Sequence, residues 1–333
     1  MLTAARMKLL IVLHHRFELW QAPPWFVERL RRDFPQIDVV HLSDYERVNE
    51  EIADADIAIA WSLRGEQISA ARKLKWIHST ATAVHALISR ELQESEIVVT
   101  NARDVHGPVV AEHAMALAFA LAKRLPQAMG YQQQKHWAQE ELWTATPRPR
   151  ELQGATMTIV GLGGIGRPLA RLARAAGMRI VGVREHHDRK IGSVDKTYGF
   201  ADLDRALGEG DFVVLALPVT PRTHHVINAA RLACLKPEAY LINVGRGVLI
   251  DEEALIAALR ARSFTGAALD VASEEPLPPE SPLWAMDNVL ITPHIAGLTE
   301  QMWERHYATF TENLRRFLRG DRLLNVVDKD KGY

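Results

Sequence analysis

Three side chains that can bind an anion or move a proton follow short apolar runs in the second half of the chain. They are Arg246, Glu275 and His294. An arginine presents a planar fork of donors that can hold a carboxylate and a neighbouring carbonyl oxygen. A histidine can give or take a proton near neutral pH, and a carboxylate bonded to its other ring nitrogen orients the ring and favours its charged form. Together the three residue types predict acid-base chemistry on a small carboxylic acid.

Each of these residues also has a plain structural interpretation. Arg246 lies between two glycines and could be a solvated cation in a turn. Glu275 precedes Pro276 and could be an exposed loop acid, with Glu274 competing for the same role. His294 could be an ordinary loop histidine. Their joint occurrence at predicted strand ends favours the chemical interpretation, because ligands bind at that edge of a parallel sheet.

Six short apolar runs, separated by helical segments, predict the strands that carry these side chains. The runs are 156–160, 179–183, 212–217, 240–244, 266–271 and 289–292. This alternation is typical of an α/β fold with a doubly wound parallel sheet. Since ligands bind beyond the carboxyl ends of such strands, the residues that follow the runs are the candidates for binding and catalysis.

The N-terminal part of the chain contains five further β-rich runs, at 8–13, 37–42, 57–61, 76–79 and 97–100. They predict a second, smaller parallel α/β domain. Residues 110–125 are apolar nearly all round, which predicts a helix packed on every side, between domains or between subunits. The polar segment 132–153 contains two prolines that break helices, and only Trp137 and Trp143 can anchor it, so we expect it to wrap over a surface.

A glycine-rich loop follows the run that ends at Val160. It consists of Gly161, Leu162, Gly163, Gly164, Ile165 and Gly166, and a helical segment comes next. The pattern matches the dinucleotide-binding fingerprint, in which the first glycine permits a tight turn, the second admits a pyrophosphate and the last lets the helix pack close to the strand. The strand before the loop and the helix after it favour a dinucleotide site over a turn that binds nothing.

The residue after the second of the six runs bears on the type of dinucleotide. An NAD-specific site normally places an acid there to bind the ribose hydroxyls, and this chain has Arg184. Three further basic side chains lie close by in the sequence: His186, His187 and Arg189. An arginine in that position can bind a 2′-phosphate, which predicts NADP(H) in preference to NAD(H). Glu185 leaves the alternative open, because a shift of one residue would restore the acid.

Composition excludes several classes of partner. Forty Lys and Arg residues against 41 Asp and Glu leave no basic excess to neutralise nucleic-acid phosphates. The single cysteine, Cys234, cannot form an internal disulfide, which is typical of a reducing cytoplasm. The apolar runs at 9–13 and 114–122 are too short for a signal peptide or a membrane span. The histidines show no ligand spacing that indicates a metal. We therefore expect a cytoplasmic protein with a small-molecule partner and neither nucleic acid nor membrane.

Three segments resemble the D-isomer-specific 2-hydroxyacid dehydrogenases. They are 243–247, Asp270 with 274–276, and 292–297, and the similarity extends through 217–223 and 98–112. The resemblance implies a Rossmann cofactor domain, 102–294, inserted into a smaller flavodoxin-like substrate domain formed by 1–101 and 295–333. It also implies hydride transfer between NAD(P)H and a small 2-keto acid to give a D-2-hydroxy acid. The branch most similar to this chain is that of the glyoxylate and hydroxypyruvate reductases, in which Arg246, Glu275 and His294 would be catalytic.

The resemblance assigns roles to further residues around the cofactor. Asp270 would contact the nicotinamide carboxamide. Pro218 and Thr223 would line the adenosine side, and Val244 and Ala296 would contribute mainly backbone atoms.

The segment 79–83 matches the family's substrate loop. The backbone amides of Ala81, Thr82 and Ala83 would bind the substrate carboxylate opposite Arg246. The sequence departs from the family here, because a glycine usual near Ala83 is absent and His85 stands where an acid is common. Thr82 could equally be an ordinary turn residue.

Several alternatives stay open on the sequence alone. Trp143 and Trp284 either roof the pocket, the first from a partner subunit, or serve packing only. Members of the family form dimers through the equivalent of the apolar helix 110–125, so the resemblance implies a homodimer. A competing function is another dehydrogenase on the same scaffold, such as a formate or phosphonate oxidiser, although Glu275 argues against formate. Another is a dinucleotide-sensing binding protein of the corepressor type. The C-terminal segment 328–333 resembles the reductase branch without indicating a role.

Overall fold

The computed structural model describes residues 6–15, 17–82, 84, 86–185, 191–330 and 332. The chain forms two compact units, one consisting of Met1–His106 with Thr299–Tyr333 and the other of Gly107–Leu298. The chain thus leaves the first unit and returns to it, with its limits at 106/107 and 298/299 where the resemblance implied 101/102 and 294/295.

The strands and helices alternate along most of the chain. The strands are β1 Met7–Val12, β2 Ile37–Leu42, β3 Ile57–Ala60, β4 Trp76–His78, β5 Val98–Thr100, β6 Thr156–Val160, β7 Arg179–Val183, β8 Lys196–Tyr198, β9 Phe212–Leu215, β10 Tyr240–Asn243, β11 Gly266–Leu269 and β12 Val289–Ile291. The α-helices are α1 Pro24–Asp33, α2 Val48–Ile52, α3 Gly65–Ala70, α4 Arg90–Glu94, α5 Arg103–Ala122, α6 Leu125–Gln133, α7 Gln139–Thr144, α8 Gly166–Ala175, α9 Leu203–Leu207, α10 Ala229–Leu232, α11 Glu252–Arg260 and α12 Met302–Arg319. Short 3-10 turns occur at Glu18–Trp20, Phe200–Asp202, Gly247–Leu249 and Pro282–Ala285.

The first unit is built on a parallel sheet of five strands in the order β2-β1-β3-β4-β5. This is the flavodoxin-like order. Strand β3 is buried along its whole length, as expected for a central parallel strand covered on both faces. One apolar cluster around Phe26, Trp76 and Phe310 covers one face, and a second around Ile52, Ile77 and Leu92 covers the other. The sequence-based prediction of a small parallel α/β domain is confirmed.

Helix α12 completes the first unit with a residue pattern of helical period. Its buried side chains include Trp303, Tyr307, Phe310 and Leu314, which recur every three or four residues and form one face. Phe310 stacks on the indole of Trp76 with ring centroids 5.2 Å apart. The helix ends at Gly320, whose φ of 73° only glycine adopts without strain. The apolar face therefore explains why the C-terminal segment belongs to the same unit as the N-terminal residues.

The second unit contains a seven-stranded parallel sheet in the order β12-β11-β10-β9-β6-β7-β8. The order reverses between β6 and β9, which defines a doubly wound sheet with a ligand crevice at the carboxyl ends of those strands. All six strands expected from the sequence are present. The seventh, β8, was missed because it is a three-residue edge strand, Lys-Thr-Tyr, in which only Tyr198 is buried.

Helix α5 forms part of the core of the second unit. It begins at Arg103, earlier than the expected 110, and its length and composition alone would suffice to cross a membrane. However, 61% of its most apolar window is buried inside the structure, and Ala111, Ala114 and Ala118 pack in the same apolar cluster as the sheet residues Met157 and Ile242. The small side chains allow this close packing, so the apolar composition reflects a core helix.

The polar segment 132–153 differs from its expected form in two ways. It contains the short helix α7, which ends before the prolines. Trp137 and Trp143 do not anchor it, because 89% and 59% of their surfaces are exposed. The structure thus corrects the expectation that these two indoles hold the segment down.

Candidate active site

Strands β10, β11 and β12 lie side by side and end at the same edge of the second unit's sheet. Their last residues, Asn243, Leu269 and Ile291, stand next to one another in the parallel register. Arg246, Asp270 and His294 follow within a few residues of these strand ends. The topology therefore brings distant parts of the sequence to one edge, as the apolar runs predicted.

The segment that carries Arg246 is fixed by side-chain bonds to its backbone. The Asn243 amide donates to the Arg246 carbonyl (2.9 Å) and accepts from the Gly245 amide (3.0 Å). Gly247 follows, and a Cβ there would lie 1.9 Å from the Ala272 carbonyl carbon, so only glycine lets this backbone pack against the segment leading to Glu275. Burial lowers the pKa of Arg246, and the negative charge of Glu275 opposes that shift. The guanidinium remains cationic because its pKa starts far above neutral.

Glu275 and His294 form a short hydrogen bond. His294 Nδ1 lies 2.6 Å from Glu275 Oε2, and the Ala272 amide donates to the other carboxylate oxygen at 3.2 Å. Burial raises the pKa of Glu275, but the bond and the charge of His294 outweigh burial, and the pKa lies below its usual value. Glu275 is therefore ionised at neutral pH. Its bond to Nδ1 leaves Nε2 of the imidazole as the atom that can exchange a proton.

His294 adopts an unusual backbone conformation. Its φ is 53°, in the left-handed region that non-glycine residues seldom occupy. The His294 amide donates to the Asp270 carbonyl at 2.8 Å, and the next two amides, Ile295 and Ala296, donate to the two oxygens of the Asp270 carboxylate at 3.0 Å each. Asp270 thus binds the strained segment through both its backbone carbonyl and its side-chain carboxylate.

Asp270 is almost fully buried, with 2% of its surface exposed. Burial raises the pKa of Asp270, while hydrogen bonds from His113, Thr292 and the two backbone amides lower it further than burial raises it. The carboxylate is therefore charged and fully bonded. Its predicted contact with a nicotinamide carboxamide stays a prediction.

The glycine loop has the geometry of a dinucleotide cradle. Gly161 has a φ of 108°, and a Cβ at Gly166 would lie 1.9 Å from the Gly161 carbonyl oxygen, so the strand-to-helix turn tolerates only glycine at both positions. A Cβ at Gly163 would point into open space, where a bound phosphate needs room. Gly164 and Ile165 complete the loop, and the apolar Ile165 side chain at the start of α8 supplies no oxygen to the first helix amides. These residues fit the pyrophosphate of a dinucleotide.

Sequence reasoning missed one glycine that shapes this loop. A Cβ at Gly107, on helix α5, would lie 2.3 Å from the Gly164 carbonyl oxygen. The helix can approach the loop only because this residue has no side chain. No local motif marks Gly107, since the contact joins two segments far apart in the sequence.

The predicted adenosine side lies beyond β9 and β7. Thr223 is buried, and its hydroxyl donates to the Pro218 carbonyl at 2.7 Å, which fixes the turn between them. Arg184 comes directly after β7, and the next residue, Glu185, has its carboxylate 2.9 Å from the Arg222 guanidinium. His186, His187 and Arg189 lie outside the described residues.

The remaining predicted residues do not all belong to this edge. Val244 and Ala296 are buried beside Arg246 and His294 in sequence. Ala81 and Thr82 lie in the first unit, where Asn101 Nδ2 donates to the Thr82 carbonyl at 2.8 Å. Ala83 and His85 lie outside the described residues, as do Lys331 and Tyr333 of the C-terminal segment.

The two tryptophans considered as a pocket roof are both exposed. The Trp284 indole donates to the Pro278 carbonyl at 3.0 Å, and 53% of its surface is exposed. The Trp143 ring faces the Arg148 guanidinium, 4.8 Å from its centroid. Within the described ranges, no cluster of three His, Cys, Asp or Glu side chains could hold a metal ion.

Comparisons with known proteins define the family. Residues 115–296 match the model of the D-isomer specific 2-hydroxyacid dehydrogenase, NAD binding domain. A glyoxylate reductase of Thermococcus onnurineus (strain NA1) is 34% identical over 297 residues, which cover 87% of this chain and 88% of the relative. A D-3-phosphoglycerate dehydrogenase of Methanocaldococcus jannaschii is 32% identical over 303 residues, 90% of this chain but only 57% of that longer protein.

A solved structure is similar over almost the whole chain. The NADPH-dependent glyoxylate/hydroxypyruvate reductase from Sinorhizobium meliloti, in complex with NADP and sulfate, superposes with a TM-score of 0.81. It is 29% identical and covers 98% of this chain and 100% of its own. The chain belongs to the D-isomer specific 2-hydroxyacid dehydrogenases, and it is an NAD(P)-dependent oxidoreductase of that family. The resemblance inferred from the sequence is confirmed, whereas the corepressor alternative finds no support in these comparisons.

The geometry around His294 generates a direct prediction. His294→Ala removes the only imidazole bonded to Glu275 within the described residues, and we expect kcat for keto acid reduction to fall about 100-fold or more with little change in melting temperature. Steady-state kinetics and thermal unfolding measure both quantities. His136→Ala is the matched control, since His136 also pairs with a glutamate, Glu141, at 2.5 Å, and not with Glu275. Unchanged turnover in His294→Ala would remove this imidazole from the mechanism.

Proposed function

We propose that this protein reduces a small 2-keto acid to a D-2-hydroxy acid, with NADPH preferred to NADH as the source of hydride. The observation that carries the proposal is the hydrogen-bonded pair Glu275–His294 at the same sheet edge as the partly buried guanidinium of Arg246. A carboxylate-binding cation, a proton donor and a counter-ion are what this reduction requires. The glycine loop fits the dinucleotide, whose nicotinamide supplies the hydride when bound.

Arg246, His294 and Glu275 each have a separate role in the proposed reduction. The Arg246 fork binds the substrate carboxylate and the keto oxygen, which fixes the carbonyl carbon for attack and draws electrons toward the oxygen. His294 donates the proton on Nε2 to that oxygen as negative charge develops, and it takes the proton back in the oxidative direction. Glu275 holds Nδ1 and balances the charge of the imidazolium. We assign Glu275 rather than Glu274 because Glu275 makes the bond to the ring.

The contacts beyond β7 support a preference for NADP(H). Arg184 is the first residue after the strand, and none of the described residues offers it an ion-pair partner. Glu185, the acid that left NAD(H) open, has its carboxylate engaged by Arg222. A 2′-phosphate in this position would therefore meet two guanidinium groups, whereas a ribose hydroxyl would have to compete with Arg222 for the carboxylate.

The other parts of the proposal follow the family. By resemblance to the family, the backbone amides of Ala81 and Thr82, and of Ala83 outside the described residues, would bind the substrate carboxylate. The enzyme works in the cytoplasm as a homodimer. Large apolar side chains exposed on and after helix α5, namely Phe119, Leu125 and Met129, support a subunit interface there.

A substrate panel tests the proposed reaction. We expect NADPH oxidation with glyoxylate, hydroxypyruvate and pyruvate, and slower oxidation with bulkier keto acids, because the proposed substrate is a small 2-keto acid. The absorbance of NADPH measures the rate for each acid. Tight dinucleotide binding without turnover on any of these acids would contradict the proposal and favour a sensor.

Substitution of Arg184 tests the choice of dinucleotide. Arg184→Ala should lower kcat/KM for NADPH about 10- to 100-fold and change that for NADH by less than about threefold, because a charged hydrogen bond contributes about 1.5–3 kcal/mol. Glu185→Gln is the control, and it should preserve or improve the use of NADPH. An unchanged NADPH/NADH ratio in Arg184→Ala, or a large loss of NADH activity in Glu185→Gln, would reverse the assignment.

A further inference from the structure

A side-chain network connects helix α5 to the segment that carries His294. His113 Nε2 lies 3.0 Å from Thr292 Oγ1 and 3.3 Å from Asp270 Oδ1. Thr292 Oγ1 lies 2.6 Å from the same Asp270 oxygen. All three residues belong to the second unit, and within the described residues no hydrogen bond or ion pair joins His113 to Arg246, Glu275 or His294. Its role is therefore not explained by the three reacting residues.

The directions of these hydrogen bonds follow from the donors available. Asp270 is ionised and can only accept, so the Thr292 hydroxyl donates to it. The Thr292 oxygen can then accept a hydrogen bond, which the N–H at His113 Nε2 donates. A chain of donation runs from His113 through Thr292 to Asp270. The same proton also lies within reach of Asp270 Oδ1 directly.

Asp270 connects this chain of hydrogen bonds to the backbone of His294 and of the two residues after it. Its carboxylate accepts from the amides of Ile295 and Ala296, and its carbonyl accepts from the amide of His294. A left-handed conformation is unfavourable at a residue with a side chain, so His294 needs these hydrogen bonds to keep it. The orientation of the Asp270 carboxylate therefore determines the position of the His294 imidazole.

We propose that His113 is a positioning residue for the reaction, which acts through Thr292 and Asp270 to hold the backbone of His294. Without its proton, the Thr292 oxygen loses its donor and Asp270 Oδ1 loses one of its side-chain partners in a buried setting. The threonine hydroxyl can then turn, and the carboxylate can release one of the two amides. The inference rests on the proposed function only in so far as His294 is the proton donor.

A purely structural role for His113 makes a different prediction. His113 is largely buried in the second unit, with 18% of its side chain exposed, and any large change there can weaken packing. Loss of packing would lower the melting temperature without a specific effect on the segment 293–297. The test therefore needs a variant that keeps the ring shape, one that keeps the donor, and a readout at that segment.

Three variants separate these roles. His113→Phe keeps a ring and removes the donor, His113→Gln keeps a side-chain N–H, and Thr292→Val removes the middle of the chain while keeping its shape. We expect kcat to fall about 10-fold or more in His113→Phe and Thr292→Val, with KM for the keto acid and Kd for NADPH within about threefold of the wild type. His113→Gln should recover kcat to within about threefold. Glu112→Gln, an exposed neighbour on the same helix, should leave all values unchanged.

Hydrogen exchange on the enzyme without substrate supplies the second readout. The amides of Ile295 and Ala296 should exchange at least about 10-fold faster in His113→Phe and Thr292→Val, and at the wild-type rate in His113→Gln. Equal exchange in all variants, an unchanged kcat in His113→Phe, or a Gln variant as slow as the Phe variant would overturn the inference. If His113→Phe does not fold, Thr292→Val alone decides between these outcomes.

Failure of this inference is distinguishable from failure of the proposed function. A wild-type enzyme that reduces none of the keto acids contradicts the proposed function, and the exchange rates still report on His113. A wild-type enzyme that turns over normally while the variants match it contradicts the inference alone.

Discussion

The hydrogen bond between Glu275 and His294 is the contact on which the chemistry of this protein depends. It joins the loops that follow β11 and β12, and two residues, one of them in the neighbouring loop after β10, permit the approach. Gly247 lets the backbone after Arg246 pack against the segment leading to Glu275, and His294 takes a left-handed conformation that points its ring toward the carboxylate. The two residues meet only because β11 and β12 end at one edge in parallel register.

The charges at this edge suit an anionic substrate. Arg246 and His294, when it carries the proton that it donates, have two positive charges and Glu275 has one negative charge, so these three side chains keep one positive charge for the substrate carboxylate to neutralise. The charge of Asp270 is already bonded to Thr292 and two backbone amides. Arg246 is partly buried, which strengthens its interactions relative to water, whereas Glu275 and His294 remain partly exposed. The same charge balance makes a neutral ketone a poorer ligand than a keto acid, because the guanidinium would remain without its anion.

Much of this arrangement could be predicted from the sequence, because the relevant signals are local. Apolar runs located the strands that carry Arg246, Asp270 and His294, and the glycine spacing located the loop before α8. The edge strand β8 was not predicted, because its residues, Lys-Thr-Tyr, do not form an apolar run. The network of His113, Thr292 and Asp270 could not be predicted, since His113 lies 179 residues from Thr292 and bonds to it only in the folded sheet. The exposure of Trp137 and Trp143 could not be predicted either, because the sequence of a polar segment does not show whether an aromatic side chain in it is packed or exposed to solvent.

The most direct test of the account is the pH profile of kcat/KM for keto acid reduction in Glu275→Gln. Glutamine still accepts a hydrogen bond from Nδ1, so the substitution removes the negative charge and little else. Since the pKa of Glu275 lies below its usual value, the wild type should keep this charge, and the activity that depends on it, until the pH falls through that low pKa. Glu275→Gln has no carboxylate to protonate, so its kcat/KM should be about 10-fold or more below that of the wild type near pH 7 and should lack this fall at low pH. A profile with the same shape as that of the wild type, lowered by one factor at every pH, would contradict the claim that Glu275 acts through its negative charge.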